Sequence, residues 1–182
     1  MKKVLLSLST LLIAVFMIAC GSKSTTITVE SFKDQAPSLV DKQVTITGVA
    51  KHICQHSGRK LFLAESEDGE TMVKVFTGKD MDPFDKTTIG KTYTVNGIVK
   101  ISQTIDNAYL DDWEKEVKEN IEKGEVEEEH CGTESKANGI EADVNTENPQ
   151  LAQIAAMRKK IAENGGNPLV FYHIECTSYE MK

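Results

Sequence analysis

The sequence predicts a mainly β chain of the α+β class: a small five-stranded barrel with a helical insertion before its last strand. Three observations carry this. Two stretches, "QVTITGVAK" (43–51) and "TYTVNGIVK" (92–100), share one pattern of β-branched alternation, an internal glycine, apolar residues and a closing lysine. A glycine inside such a strand marks a bulge or a sharp bend, as at the corner of a small barrel. From about residue 106 to 166 helical periodicity takes over, before "PLVFYHIECTSYE" (168–180) returns to strand chemistry.

Taken in order, the chain opens with Lys2 and Lys3, then an apolar run from Val4 to Ala19 broken only by Ser7, Ser9 and Thr10. A basic start followed by such a run is the layout of a secretory signal, and the run is short for a membrane span. It ends in "MIACGSKS" (17–24), where Ala19 and Gly21 flank Cys20. This stretch resembles the lipobox of bacterial lipoproteins. The resemblance implies cleavage before Cys20, lipidation of that cysteine, and a domain held outside the cytoplasm on a membrane of the bacterial cell envelope. Residues 1–19 are then a signal peptide, 20–26 a lipidated polar tether, and 27–182 a single domain with its helical insertion at about 106–166.

Loss of residues 1–19 removes two lysines and takes the formal net charge from −7 to −9. The remaining length suits one ordinary domain. An acidic chain repels phosphodiester backbones unless its basic residues gather on one face. The basic knots, Arg59-Lys60 and Arg158-Lys159-Lys160, are small. A nucleic-acid partner is therefore not expected.

"TVESFK" (28–33) fits either a short sixth strand or a lead-in helix. After the first predicted strand (43–51), "KLFLAES" (60–66) and "TMVKVFT" (71–77) form the second and third. The Asp-Gly of the intervening "EDGE" signals a hairpin. The fourth strand is 92–100. Asp106 or Asn107 then caps a helix with Tyr109, Trp113, Val117 and Ile121 as its apolar stripe. From Asp106 to Glu129 eleven acidic residues face three basic ones, which reads as a solvated face. A second helix starts at Asn148-Pro149, carries Leu151, Ile154, Met157 and Ile161, and stops at Gly165-Gly166. Residues 130–147 between the helices read as a polar loop.

Strand order and glycine placement resemble an OB-fold, the five-stranded Greek-key barrel. One departure stands out: the usual helix between strands three and four is replaced by "GKDMDPFDKTTIG" (78–90), and both predicted helices lie between strands four and five. The resemblance implies ligand binding near the loops that join strands one and two, and four and five.

Those loops hold the candidate chemistry. "KHICQHSGRK" (51–60) places His52, Cys54 and His56 at alternate positions, and the insertion contains His130-Cys131. Residues two apart on a strand share a face, here the one carrying Val44 and Ile46. Imidazole and thiolate are ligands of zinc and copper, and four close a tetrahedral site. His52, Cys54, His56 and Cys131 supply four, with His130 as an alternative fourth. Two other readings stand beside the metal: a disulfide from Cys54 to Cys131 or Cys176, and plain strand-end caps. Lipidation of Cys20 leaves three cysteines, so at least one is unpaired within the chain. No phosphate loop or nucleophile elbow is present. The expected function is a membrane-anchored binding module for a small ligand, a glycan or an envelope protein, with Zn or Cu as the cofactor if the His/Cys cluster holds a metal and no cofactor otherwise. The alternative is a thiol-dependent redox or enzymatic protein working through Cys54.

Overall fold

The computed structural model describes residues 24–124, 132–140 and 148–182. In chain order the elements are β1 (Thr25–Ile27), α1 (Val29–Leu39), β2 (Gln43–Ile53), β3 (Lys60–Ala64), β4 (Met72–Thr77), β5 (Thr92–Ile105), α2 (Asn107–Lys123), α3 (Gly132–Ala137), α4 (Pro149–Glu163) and β6 (Leu169–Met181). A 3₁₀ turn at Lys86–Thr88 lies between β4 and β5.

Five strands close in the order β2-β3-β4-β6-β5, with β5 returning to β2. Neighbours run antiparallel except β4 and β6, which are parallel from Val75 opposite Ile174 to Thr77 opposite Cys176. This is the OB-like barrel that the sequence pattern predicts, with all five strands in place. The sixth strand, β1, runs parallel to Val44–Ile46 of β2. β5 takes the opposite edge of that stretch, and β3 joins β2 only from Val49 onward.

"TVESFK" lies on the helical side of its ambiguity. Thr28 caps α1 by accepting from the Ser31 N–H at 3.1 Å, while the Ser31 hydroxyl accepts from the Thr28 N–H at 3.2 Å. This reciprocal pair satisfies two of the donors that a helix start leaves open. α1 then lays Val29, Phe32, Ala36 and Leu39 into one cluster with the inward residues of the barrel, among them Val44, Ile46, Leu61, Leu63, Val73, Val75, Val95 and Ile174. The N-terminal helix thus contributes an apolar face to a barrel that lacks the usual helix between its third and fourth strands.

The insertion differs from expectation in two ways. Besides α2 and α4, a third helix, α3, stands in the stretch that reads as a loop. And α2 buries Leu110 and Val117, with Trp113 partly covered, while Tyr109 and Ile121 are exposed. A stripe repeated every four residues drifts around a helix of 3.6 residues per turn, and the i, i+3, i+7 set stays on one face. Asp106 caps α2 as expected, and Gly124 ends it at φ 71°. Asn148 caps α4 and Ile154, Met157 and Ile161 are its buried face, with Leu151 packed beside them. These helices, with Ile140, cover Ile105, Leu169 and Phe171 where β5 and β6 run on beyond the barrel. Arg158 of α4 bonds Asp111 and Glu114 of α2 at 2.6 and 2.8 Å.

Gly48 and Gly97 keep negative φ, so conformational freedom is not their role. Close approach is. A Cβ at Gly97 falls 2.5 Å from both the Glu175 carbonyl oxygen and Ile174 Cγ2, beside the bulge between Asn96 and Gly97. At Gly48 it falls 2.7 Å from the Ala64 carbonyl oxygen. Gly97→Ala is therefore expected to destabilise the fold by about 1–3 kcal/mol, the usual range for overpacking, as read by urea unfolding. An unchanged midpoint would show that β5 and β6 can separate freely at this crossing.

Candidate functional site

β2 does not carry its alternation through to His56. Val44, Ile46, Gly48 and Ala50 face inward, but the register slips between Ala50 and His52, and Ile53 is the next core residue at 0% exposure. A bulge adds one residue and turns the rest of the strand over. His52 therefore leaves the face of Val44 and Ile46 on which its spacing puts it. It stands opposite Phe62 on the outside of the barrel, their ring centroids 5.6 Å apart. Burial lowers its pKa from the usual 6.5.

The strand ends at Ile53, and the chain turns through residues 55–58. Gly58 N–H donates to the Cys54 carbonyl at 2.8 Å, and Cys54 N–H donates to Lys60 O at 2.9 Å. His56 is exposed on that turn. His52, Cys54 and His56 thus do not share a strand face. The Cys54 thiol is held below its ordinary pKa by the Ser57 N–H, against the opposing effect of burial, with help from the Ser57 hydroxyl, the His56 N–H and the Lys60 charge. Cys54 and Cys176 are both free thiols, so they do not form the pair that the sequence allows. Cys176 is buried in the barrel core and its pKa is raised to about 11 by desolvation. Cys20, His130 and Cys131 lie outside the described residues. Among the described residues no group of three His, Cys, Asp or Glu is arranged to hold a metal ion.

Among the described residues the insertion meets the barrel through Glu134, Lys60 and Lys74. Glu134 in the first turn of α3, three positions past Cys131, bonds Lys60 at 2.6 Å and Lys74 at 3.3 Å. Lys74 lies in the centre of β4, flanked by the inward Val73 and Val75, so it points outward. Yet it is only 4% exposed. Its covering is the insertion, since α3 contacts β4. Phe62, opposite Lys74 in the ladder, is 0% exposed and stands apart from the inner cluster.

Phe76 continues this outer face. It stacks on His173 of β6 at 4.3 Å, and the Lys60 ammonium lies 5.5 Å from its ring centre. Lys74 approaches the Phe171 ring at 5.9 Å. His173 Nδ1 and the Ser102 hydroxyl are 3.0 Å apart. Lys100, opposite His173, pairs with Asp41 at 2.7 Å. In OB-type barrels the outer face of the second and third strands, here β3 and β4, is a ligand surface.

The electrostatics follow from burial. Lys74 titrates below the usual lysine range because desolvation outweighs the nearby Glu134 carboxylate. Burial pushes Glu134 upward, but its hydrogen bonds and charge contacts with the two lysines together leave it below the ordinary glutamate value. His173 is lowered to about 4, first by burial and then by the charges of Lys74 and Lys100. It is therefore a neutral imidazole at pH 7.

Sequence reading missed Lys74, Phe76, Glu134, His173 and Ser102. One signal was present: "LFLA" (61–64) is apolar without alternation, the mark of a strand covered on both faces. A lysine centred in the neighbouring strand of a doubly covered pair needs a buried counter-charge.

No family model and no curated protein matches the chain. Among solved structures, an aspartyl-tRNA synthetase from Entamoeba histolytica is similar at 13% identity and a TM-score of 0.35, over 80% of this chain and 35% of that one. A putative aspartyl-tRNA synthetase from Leishmania major Friedlin is similar at 19% identity and a TM-score of 0.32, over 48% of this chain and 18% of that one. The chain thus spans well under half of either enzyme, and likeness at this level carries no inference about activity or partners.

His173 gives the face a pH signature. Folded, it stays neutral down to about pH 4; unfolded, it takes up a proton near 6.5. The unfolded state binds more protons in that window, so stability falls as pH drops from about 6.5 toward 4, by on the order of 3 kcal/mol. Thermal melts between pH 6.5 and 5, above most carboxylate titrations, should show this slope in the native chain and a flatter one in His173→Phe. Equal slopes would mean that the imidazole is not buried as described.

Proposed function

We propose that this chain is an envelope-tethered OB-type binding module whose ligand face is the outer surface of β3, β4 and β6. The tether is the Cys20 lipid expected from "MIACGSKS". One observation carries the ligand assignment: two lysine ammonium groups, one of them nearly dry, converge on a single carboxylate at 2.6 and 3.3 Å. Charge-assisted bonds of this kind select an anionic group, and the aromatic rings of Phe62, Phe76 and Phe171 limit water around it. The ligand class is a small carboxylate-bearing molecule or an acidic group on an envelope glycan or protein. Nucleic acid is not favoured. Lys60, Lys74 and Lys100 do gather on one side of the barrel, but Glu134 and Asp41 stand among them, and the one net positive charge that remains is small for a phosphodiester backbone.

Titration of the isotopically labelled chain with succinate, at constant ionic strength, tests the face. Amide signals of Lys60, Lys74, Phe76 and His173 should shift in the native chain and stay fixed in Lys74→Met. Shifts that persist in Lys74→Met, or that cluster elsewhere, overturn the assignment. In the same preparations Cys20→Ala should move the protein from the membrane to the soluble fraction; continued membrane partitioning would remove the anchor.

A second reading has its own support. The Lys60–Glu134 contact holds the chain three residues past Cys131 against the strand that bonds the Cys54 backbone. The approach and the depressed Cys54 thiol support a soft metal, Zn or Cu, on Cys54 and Cys131; for His52 and His56 to join them, residues 52–56 would have to rearrange, since these side chains do not converge as described. Protein purified without a histidine tag should then contain metal that Cys54→Ser loses. Metal-free native protein with a rapidly alkylated Cys54 would favour thiol chemistry instead.

A further inference from the structure

We infer that Glu134 is an internal competitor for the ligand face: its carboxylate holds the place that the ligand's carboxylate takes, and binding requires its displacement. The inference rests on the assignment of that face as the ligand site. Four observations point to it.

The first is position. The one carboxylate of Glu134 contacts both Lys60 and Lys74, so it occupies the place where the two ammonium groups converge and where an incoming anion would bind. The second is asymmetry of burial. Lys74 belongs to the barrel and is 4% exposed, whereas the Glu134 side chain is 29% exposed and Lys60 36%. The anion therefore sits at the open side of the contact and can leave without uncovering the barrel core.

The third is the weak local attachment of the element that carries it. α3 is six residues long, and half-buried side chains dominate it. Among the described residues a hydrogen bond from Gln153 to the Ser135 hydroxyl at 2.9 Å ties it to α4. Short helices have little stability of their own, and few buried contacts make a segment open at low cost. Among the described residues from 132 to 140, Ile140 alone enters the second apolar cluster.

The fourth is the cost left behind. Withdrawal of Glu134 exposes Lys74 as an unpaired ammonium among Phe62, Phe171 and the neutral His173, and a buried charge without a partner is strongly unfavourable. An external carboxylate removes that cost. The open face is accordingly primed for an anion and poorly populated without one. A site that is competent only a fraction of the time binds with its affinity reduced by that fraction, and removal of the competitor restores it.

Glu134→Gln tests this with succinate as the probe and chloride as the ionic control. The amide retains the shape and one acceptor, so α3 keeps its lysine contact while the charge is gone. The expected result is succinate affinity raised about tenfold or more over the native chain, with Lys74→Met abolishing binding in both backgrounds. If Glu134→Gln does not fold, Gln153→Ala, which touches neither lysine, should raise affinity in the same direction by loosening α3. Equal or weaker binding in both variants, with native binding intact and dependent on Lys74, overturns the competitor and leaves the ligand face standing: the pair is then a plain staple. No succinate binding in any form overturns both readings.

Discussion

The antiparallel pairing of β5 with β6 is the constraint on which the rest depends. It closes the barrel, since β6 also takes β4 and β5 also takes β2. It also continues past the barrel as far as Ile105 opposite Leu169. The chain leaves β5 and re-enters β6 at paired positions, so the entire helical insertion is a loop with its ends locked together. Closing a long connection in this way costs little more than closing a short one, because the entropy grows only logarithmically with length. The insertion can therefore carry α2, α3 and α4 without loosening the barrel, provided its base is covered. Leu110, Val117, Ile154, Met157 and Ile161 supply that cover over Ile105, Leu169 and Phe171. Gly97 makes the crossing itself tight enough, since any side chain there meets the backbone of β6.

That anchoring decides where the polar chemistry falls. With its two ends fixed beside β5 and β6, the insertion returns over the outer surface of β4, and α3 comes down on Lys74. The apolar face of α1 thus joins the inner cluster while α3 covers the outer side of β4, which is why Lys74 is as buried as a core residue while facing away from the core. Burial on the outer side then fixes protonation: His173 neutral, Lys74 paired, Glu134 ionised between two cations. The single fold decision, a long β5–β6 ribbon, propagates into the electrostatics of the face.

The five barrel strands and the caps of α2 and α4 were legible because they rest on local rules: alternation, an Asp-Gly turn, Asp106 and Asn148 as acceptors for orphan amides. What was not legible depends on register and on distant parts of the chain. The bulge at Ala50–His52 carries no mark within "VAKHIC", yet it moves His52 from the inner to the outer face. The α2 stripe kept Trp113 and Val117 and missed at its ends, because a four-residue repeat drifts off one face of a 3.6-residue helix and Leu110 takes the place of Tyr109. Glu134 read as one acid in a polar loop; its role comes from Lys60 and Lys74, 74 and 60 positions away. A non-alternating "LFLA" was the available hint that β3 is covered twice, but it names no partner.

An acidic chain that buries a lysine in this way poses a question of alternatives. As a device for docking α3, the lysine–glutamate contact is poor. Both charges lose water on burial, and replacing such a pair by apolar side chains is often neutral or stabilising. The surroundings of Lys74 suit that replacement: Phe62 stands opposite, Phe171 is close, and Val73 and Val75 flank it in sequence. A leucine or methionine at position 74, facing an apolar residue at 134, would hold α3 to the barrel without desolvating a charge. The opening Arg59-Lys60 knot, too, would be more cheaply left in solvent. What the apolar solution lacks is reversibility of a specific kind. A hydrophobic dock releases to bare apolar surface, which any apolar group can cover; a docked carboxylate releases to an anion site with a defined chemistry. The polar contact is thus the costlier staple, and its geometry places the cations on the barrel and the anion on a six-residue helix at the more exposed side of the contact.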